Sequence, residues 1–207
     1  MEPTKIELEI LREAKNIFLE KGFANTSTSD IAQKVGCNQA LIHYYYRTKE
    51  NLFQKVFLSE VQNALTIISK ALDTNYNLSF ENTVDKLISS YFEALSNNPR
   101  LPFFLVNELL LNAERRTFIR ENFIKNPLRI EAYRKFQALV QMFIDTGQMR
   151  AIEPFDVLLN VVSLVAATFL SFPLYSDLLE RNEKQRKEFL ANRKEEIKKL
   201  LMQGMKK

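Results

Sequence analysis

The 207-residue sequence predicts an all-α protein, in which a small three-helix head precedes a larger helical body. Apolar residues recur at intervals of three and four along most of the chain, which is the spacing of amphipathic helices. No segment shows the strict alternation of apolar and polar residues that is typical of strands. Of the four glycines, Gly22, Gly36 and Gly147 follow runs with helical spacing, where helix C-caps favour glycine. A fold rich in β-hairpins would need more turn glycines.

The same periodicity gives the order of the helices. The head should contain helices at about 4–20, 28–35 and 39–46. A long helix with Thr48 as its N-cap should extend to about Leu72, and Asn and Ser residues predict a break at 74–79. Further helices are expected at about 81–96, 101–112, 115–124, 127–146, 154–172 and 182–203. We place the only domain boundary near residue 50, which gives domains at 1–50 and 51–207.

The composition argues against an enzyme or a metalloprotein. The single cysteine, Cys37, excludes an internal disulfide and fits a reducing cytoplasm. The single histidine, His43, leaves no zinc cluster and little acid–base machinery. The first ten residues carry acidic side chains and lack the apolar core of a signal peptide. We therefore expect a cytoplasmic protein with no catalytic residues, no metal and no cofactor.

The net charge of +4 is concentrated at the C-terminal end. Residues 181–207 hold ten Lys and Arg against four Asp and Glu, a net of +6, whereas residues 1–55 hold eight against seven, a net of +1. The bulk charge is therefore no evidence for nucleic-acid binding, which must come from a motif. The basic end could bind an anionic membrane surface, or it could form an amphipathic helix that packs on its own body or on a second subunit.

One uncharged stretch is long enough to span a membrane. It covers the twenty residues 157–176, with Asp156 and Asp177 at its flanks. Polar residues interrupt it, and the basic bias that membrane spans usually show on one side is absent. We expect instead a helix buried inside the protein or in an interface, and no membrane partner.

The informative motif lies between residues 26 and 53. Ser27 and Asp30 form a capping-box-like start to one short helix, and Gly36 ends it in a conformation that a Cβ would disfavour. Asn38 then caps a second short helix, which returns Ile42 to the core. This spacing is what two helices crossing through a tight turn require, so the segment predicts a helix-turn-helix.

Over about residues 6–53 the chain resembles the head of the tetracycline-repressor-type (TetR) family of transcriptional regulators. The positions that match the family pattern are Gly22, Phe23, Thr26, Ser27, Ile31, Ala32, Gly36, Ile42, Tyr45, Lys49 and Leu52. The chain departs from the pattern at Cys37, Asn38, His43 and Tyr46. The resemblance implies that, of these departures, only the one at His43 changes the surface that faces DNA.

The resemblance implies that the second helix of the motif enters the major groove. By position, the base edges should be met by Ser29, Gln39, Ala40 and Leu41, and the phosphates by Thr28, His43, Tyr44, Tyr45 and Lys49. Glutamine can pair with adenine, and small apolar side chains can contact a thymine methyl group. Because successive helical residues point about 100° apart, residues 43–46 cannot all face DNA. We assign Tyr46 to the core and leave Tyr45 open to either surface.

The resemblance also implies a homodimer that binds a palindromic operator and is released by a small, partly apolar effector. The dimer would form through the helices at 154–172 and 182–203. The candidate effector-binding residues are Phe92, Phe103, Phe104, Asn107, Glu108, Tyr133, Phe136 and Met142, although such residues can also simply fill a core. We therefore expect a DNA-binding repressor. The alternative is a helical partner-binding or adaptor protein with a non-functional head.

Overall fold

A computed structural model describes residues 4–72 and 79–207, so the predicted break at 74–79 lies, except for Ser79, outside the described residues. Within these ranges the chain forms ten helices. They are α1 (Lys5–Lys21), α2 (Thr28–Val35), α3 (Gln39–Tyr46), α4 (Lys49–Leu72), α5 (Phe80–Asn97), α6 (Leu101–Leu111), α7 (Ala113–Ile124), α8 (Pro127–Asp145), α9 (Pro154–Leu178) and α10 (Glu183–Met205). In this part of the chain the only β-pairing is an isolated bridge between Met149 and Lys206. The all-α prediction is confirmed.

The helices group into two compact units. The first comprises residues 1–63 and 103–123, and therefore holds α1–α3, the start of α4, most of α6 and nearly all of α7. The second comprises residues 64–102 and 124–207, with α5 and α8–α10 as its main helices. The unit that contains the predicted head thus extends beyond residue 50 and includes two helices from later in the chain.

The first unit packs around a cluster of phenylalanines, which we call the Phe53 cluster. Phe53 is 1% exposed, and its ring centroid lies 5.1–6.3 Å from those of four other phenylalanines. These four are Phe18 of α1, Phe23 of the α1–α2 turn, Phe57 of α4 and Phe104 of α6. The cluster joins α1, α4 and α6 into one hydrophobic core.

Local signals fix the ends of those short helices. The Ser27 hydroxyl accepts a hydrogen bond from the Asp30 N–H, and the Asp30 carboxylate accepts one from the Ser27 N–H, both at 3.0 Å. These hydrogen bonds, the backbone one first, lower the pKa of the Asp30 carboxyl. Gly36 ends α2 with φ of 74° and ψ of 30°, the left-handed region that favours glycine. Asn38 then caps α3 through its side-chain oxygen, 2.9 Å from the Ala40 nitrogen.

The second unit has its core where α5, α8, α9 and α10 meet. Helix α9 contributes Val157, Val161 and Val165 to that core. The predicted end of this helix at residue 172 is wrong, because α9 continues through Pro173 to Leu178. Packing outweighs the missing hydrogen bond, since Phe172 stacks on Phe189 of α10 at 5.7 Å and Ser176 beyond the proline is fully buried.

Opposite its buried side, α9 carries an exposed apolar surface, which we call the α9 stripe. It consists of Phe155, Leu159, Leu170, Leu174 and Leu178. These positions recur at close to four-residue intervals once the small, exposed Ser163 and Ala167 between them are included. By length and composition alone, α9 is also the one helix among the described residues that could cross a membrane. A continuous exposed apolar surface of this kind usually marks an interaction site.

Candidate nucleic-acid interface

The structure places most of the predicted DNA contacts on one outward surface of α2 and α3. Helix α3 buries Ile42 and Tyr46 against the first unit. Its other side and the start of α2 present Ser29, Gln39, Ala40, His43 and Tyr44 as exposed residues, and Tyr44 is 69% exposed. The remaining predicted contacts, Thr28, Leu41, Tyr45 and Lys49, are half-buried. The assignment of Tyr46 to the core is confirmed, and burial raises its pKa to about 12.

A hydrogen bond between side chains ties the starts of α2 and α3 together. The Gln39 amide nitrogen donates to the Thr28 hydroxyl at 2.8 Å. A glutamine amide carries two N–H donors and a carbonyl oxygen. One N–H and the oxygen therefore stay available for a base edge, and the amide is held in place by Thr28.

His43 has a defined arrangement of ring protons. Its Nδ1 lies 3.1 Å from the carbonyl oxygen of Arg47, the residue that ends α3. A carbonyl oxygen only accepts, so Nδ1 must carry the hydrogen, and in the neutral ring Nε2 then carries none. Only the imidazolium has an Nε2–H that can donate to a phosphate. A hydrogen bond from Nε2 of His43 to a phosphate would therefore need the charged ring, whereas a tyrosine hydroxyl at the same position donates without a charge.

Besides Thr28, two more of the half-buried residues have partners inside the protein. The Lys49 ammonium donates to the carbonyl oxygens of Phe23 at 2.9 Å and Thr26 at 2.8 Å, which leaves one N–H for a phosphate. The Tyr45 hydroxyl accepts a hydrogen bond from the Thr4 hydroxyl at 3.0 Å. Both side chains hold the motif together, which their spacing in the sequence did not indicate.

The eight residues predicted to bind an effector are divided between the two units. Phe103, Phe104, Asn107 and Glu108 belong to the first unit, and Phe92, Tyr133, Phe136 and Met142 to the second. Neither unit by itself brings all eight together. Phe104 is part of the Phe53 cluster, and the Glu108 carboxylate is engaged with the Phe23 N–H and with Arg115. These contacts give both residues structural roles.

In the second unit, Phe136 borders a small apolar cavity. The cavity has a volume of about 20 Å³ and is lined by Leu87, Tyr91, Phe136, Leu158, Val161 and Val162. Such a volume holds about one water molecule. An open, polar groove of about 810 Å³ lies elsewhere in this unit, and its lining includes Gln141, Arg150, Glu153 and Asp156. None of the eight predicted residues lines that groove.

Known proteins share both the motif and the fold. A family model described as bacterial regulatory proteins, tetR family, matches residues 10–56. The probable HTH-type transcriptional regulator YttP of Bacillus subtilis is 31% identical over 144 residues, which are 68% of this chain and 63% of YttP. IcaR of Staphylococcus epidermidis, the negative regulator of the biofilm operon icaADBC, is 25% identical over 154 residues, which are 69% of this chain and 82% of IcaR.

Solved structures extend the similarity to the whole chain. The transcriptional regulator FadR of Bacillus subtilis, solved in complex with stearoyl-CoA, superimposes with a TM-score of 0.70. The match covers 95% of this chain and 98% of FadR at 16% identity, so it speaks to the fold alone. The resemblance expected from residues 6–53 is confirmed by the family model, the relatives and the fold together. The chain therefore belongs to the tetR family of bacterial regulatory proteins and is a transcriptional regulator.

Proposed function

We propose that this regulator is a cytoplasmic repressor that binds a palindromic operator as a homodimer and leaves it when a small, partly apolar effector binds. The observation that carries the proposal is the exposed surface of α2 and α3. The buried residues Ile31, Ala32 and Ile42 lie on the opposite sides of these helices. Packing of the first unit therefore does not explain the polar residues on the exposed surface. Exposed Gln39, His43 and Tyr44 have hydrogen-bonding groups suited to bases and phosphates.

In this proposal the contacts divide by their chemistry. Gln39 pairs with adenine, Ala40 and Leu41 meet a thymine methyl group, and Ser29 reaches a base edge from α2. Thr28, His43, Tyr44, Tyr45 and Lys49 serve the phosphates and the position of the motif on the duplex. No catalytic residue, metal or cofactor has a part in the mechanism. Repression rather than activation is supported by the likeness to IcaR, a negative regulator.

The α9 stripe supports the homodimer. A helix that exposes five large apolar residues gains most from a partner with the same surface, as two-fold symmetry supplies. The small Ser163 and Ala167 in the middle of α9 allow the two copies of the helix to approach closely. A dimer in turn presents two copies of α3 to the two half-sites of a palindrome. We therefore assign the stripe to a second copy of this chain rather than to a membrane.

We place the effector in the second unit, at the small cavity between α5, α8 and α9. No charged residue lines this cavity, and Tyr91 is the only lining residue with a hydroxyl group. Such a lining suits an apolar ligand with one hydrogen-bond acceptor. Because the cavity holds about one water, binding would have to displace its walls. FadR, which shares this fold, was solved in complex with stearoyl-CoA, so the fold itself can accept a partly apolar ligand.

Gln39→Ala tests the base-reading surface. We expect the variant to lose about 1–3 kcal/mol of discrimination at one adenine position and to bind other sequences almost as before. Competition gel shifts with operators substituted one base pair at a time would show this. Gln137→Ala, which removes an exposed glutamine of α8 in the second unit, is the matched control. Uniform weakening on all sequences would remove Gln39 from the base-reading surface. If the wild type retained no DNA at all, the adaptor alternative would be favoured.

A further inference from the structure

A buried charged network connects α6 and α7 to the turn before α2. Glu108 of α6 is 5% exposed, and its Oε1 accepts a hydrogen bond from the Phe23 N–H at 3.1 Å. Its other oxygen forms an ion pair with Arg115 of α7, which is 6% exposed. Arg115 also makes a two-pronged contact with Glu50 of α4, with Nη2–Oε2 at 2.9 Å and Nε–Oε1 at 3.3 Å. One guanidinium therefore serves two carboxylates.

The same network fixes the ring and the carbonyl group of Phe23. The Arg115 guanidinium carbon lies 3.7 Å from the centroid of the Phe23 ring and 4.3 Å from that of Phe53, so it packs on the Phe53 cluster. Lys49 donates to the Phe23 carbonyl oxygen and lies 4.1 Å from the ring centroid. The N–H, the carbonyl and the ring of Phe23 are thus all held by charged side chains.

Phe23 in turn sets the start of α2. The Thr26 hydroxyl donates to the Gly22 carbonyl at 2.7 Å, and the Thr26 carbonyl accepts from Lys49. Ser27 follows at once as the N-cap of α2, and Thr28 beyond it holds Gln39. A displacement of the Phe23 turn would therefore displace the first turn of α2 and the amide that we assign to base reading.

We propose that Glu108 and Arg115 are positioning residues for DNA binding, which hold the Phe23 turn, and with it α2 and α3, in the geometry that the operator requires. The proposal rests on the DNA-binding function proposed above. In it, α6 and α7 are part of the DNA-binding module, although neither touches DNA. Stability alone explains the network poorly, because a buried ion pair replaced by packed apolar side chains is often neutral or stabilising. What apolar packing could not supply is the directed hydrogen bond to the Phe23 N–H.

Arg115→Gln in the full-length protein tests the proposal, with Lys198→Gln as its matched control. Lys198 is a buried cation of the second unit that also serves two carboxylates, Asp85 at 2.5 Å and Glu195 at 3.0 Å. At a temperature where circular dichroism shows both variants folded, we expect Arg115→Gln to lose at least about tenfold in operator affinity. Amide hydrogen exchange over residues 22–28 should quicken in this variant. Lys198→Gln should leave both readouts at the wild-type level.

Unchanged affinity and exchange in folded Arg115→Gln would overturn the proposal, as would equal losses in both variants. If Arg115→Gln does not fold, Glu50→Gln replaces it, since that side chain is half-exposed and the change leaves the Glu108–Arg115 pair intact. We then expect operator affinity to fall about threefold in Glu50→Gln. An unchanged affinity would again overturn the proposal. Failure of the wild type to bind DNA would instead contradict the proposed function.

Discussion

Replacing Leu174 and Leu178 by glutamate is expected to turn the dimer into monomers and to weaken operator binding by at least ~100-fold. These residues are 62% and 68% exposed in the single chain, and in the proposed dimer both would be buried against the partner's α9. Burying four carboxylates per dimer without counter-charges costs more than the apolar contacts supply. A monomer then binds each half-site alone and loses the gain from simultaneous binding of two heads.

Sedimentation equilibrium at micromolar concentration and gel shifts on the same samples would measure both effects. Ile130→Glu is a suitable control, because Ile130 is also an exposed apolar residue of the second unit but lies on α8, outside the α9 stripe. It should remain dimeric and bind the operator normally. A Leu174→Glu, Leu178→Glu double variant that stays dimeric would show that the interface lies elsewhere.

Phe53→Ala is expected to abolish operator binding while the protein stays dimeric. Phe53 is the centre of the Phe53 cluster, and removal of a buried phenylalanine ring costs about 3–5 kcal/mol in unfolding free energy. A loss of that size is a large part of the stability of a small unit. The second unit has its own core, so the α9 stripe should keep its structure. Gel shifts, sedimentation and urea unfolding followed by circular dichroism would test the prediction.

Phe169→Ala provides the matched comparison. Phe169 is 3% exposed in the core of the second unit, where its ring centroid lies 5.0 Å from that of Phe92. We expect a similar loss of unfolding free energy, but with dimerisation affected first. The His43 ring signals in NMR spectra distinguish the two variants, because the chain has no other histidine. If the two variants lost dimerisation and DNA binding to the same extent, the two units would not respond separately.

The head could be predicted closely because its signals are local. Ser27, Gly36 and Asn38 each fix a helix end through neighbours a few residues away, and α2 and α3 have the bounds that the sequence predicts. The end of α9 was missed because Pro173 is a strong local stop, whereas the contact between Phe172 and Phe189 that outweighs it joins two helices. Packing between helices leaves no such mark in a single sequence.

The charged network was partly visible in the sequence. Glu108 is the only charged residue in the apolar stretch of α6, and a buried carboxylate nearly always has a partner. That pattern indicates a buried ion pair for Glu108, which we did not predict. Arg115 and Lys49 gave no comparable signal, since their partners Glu50, Phe23 and Thr26 are known only once the helices are packed. For the same reason, the sequence pattern could not show that the eight candidate effector-binding residues are divided between two units.

Selection of binding sites by the wild-type protein from a pool of random duplex DNA tests the central claim most directly. If paired copies of α3 read an operator, the enriched sequences should share an inverted repeat, with half-sites about 10–10.5 base pairs apart from centre to centre. A position within each half-site should prefer adenine in the wild type and lose that preference in Gln39→Ala. Enrichment of no sequence, or of a single half-site without symmetry, would contradict a dimer that reads DNA through α3.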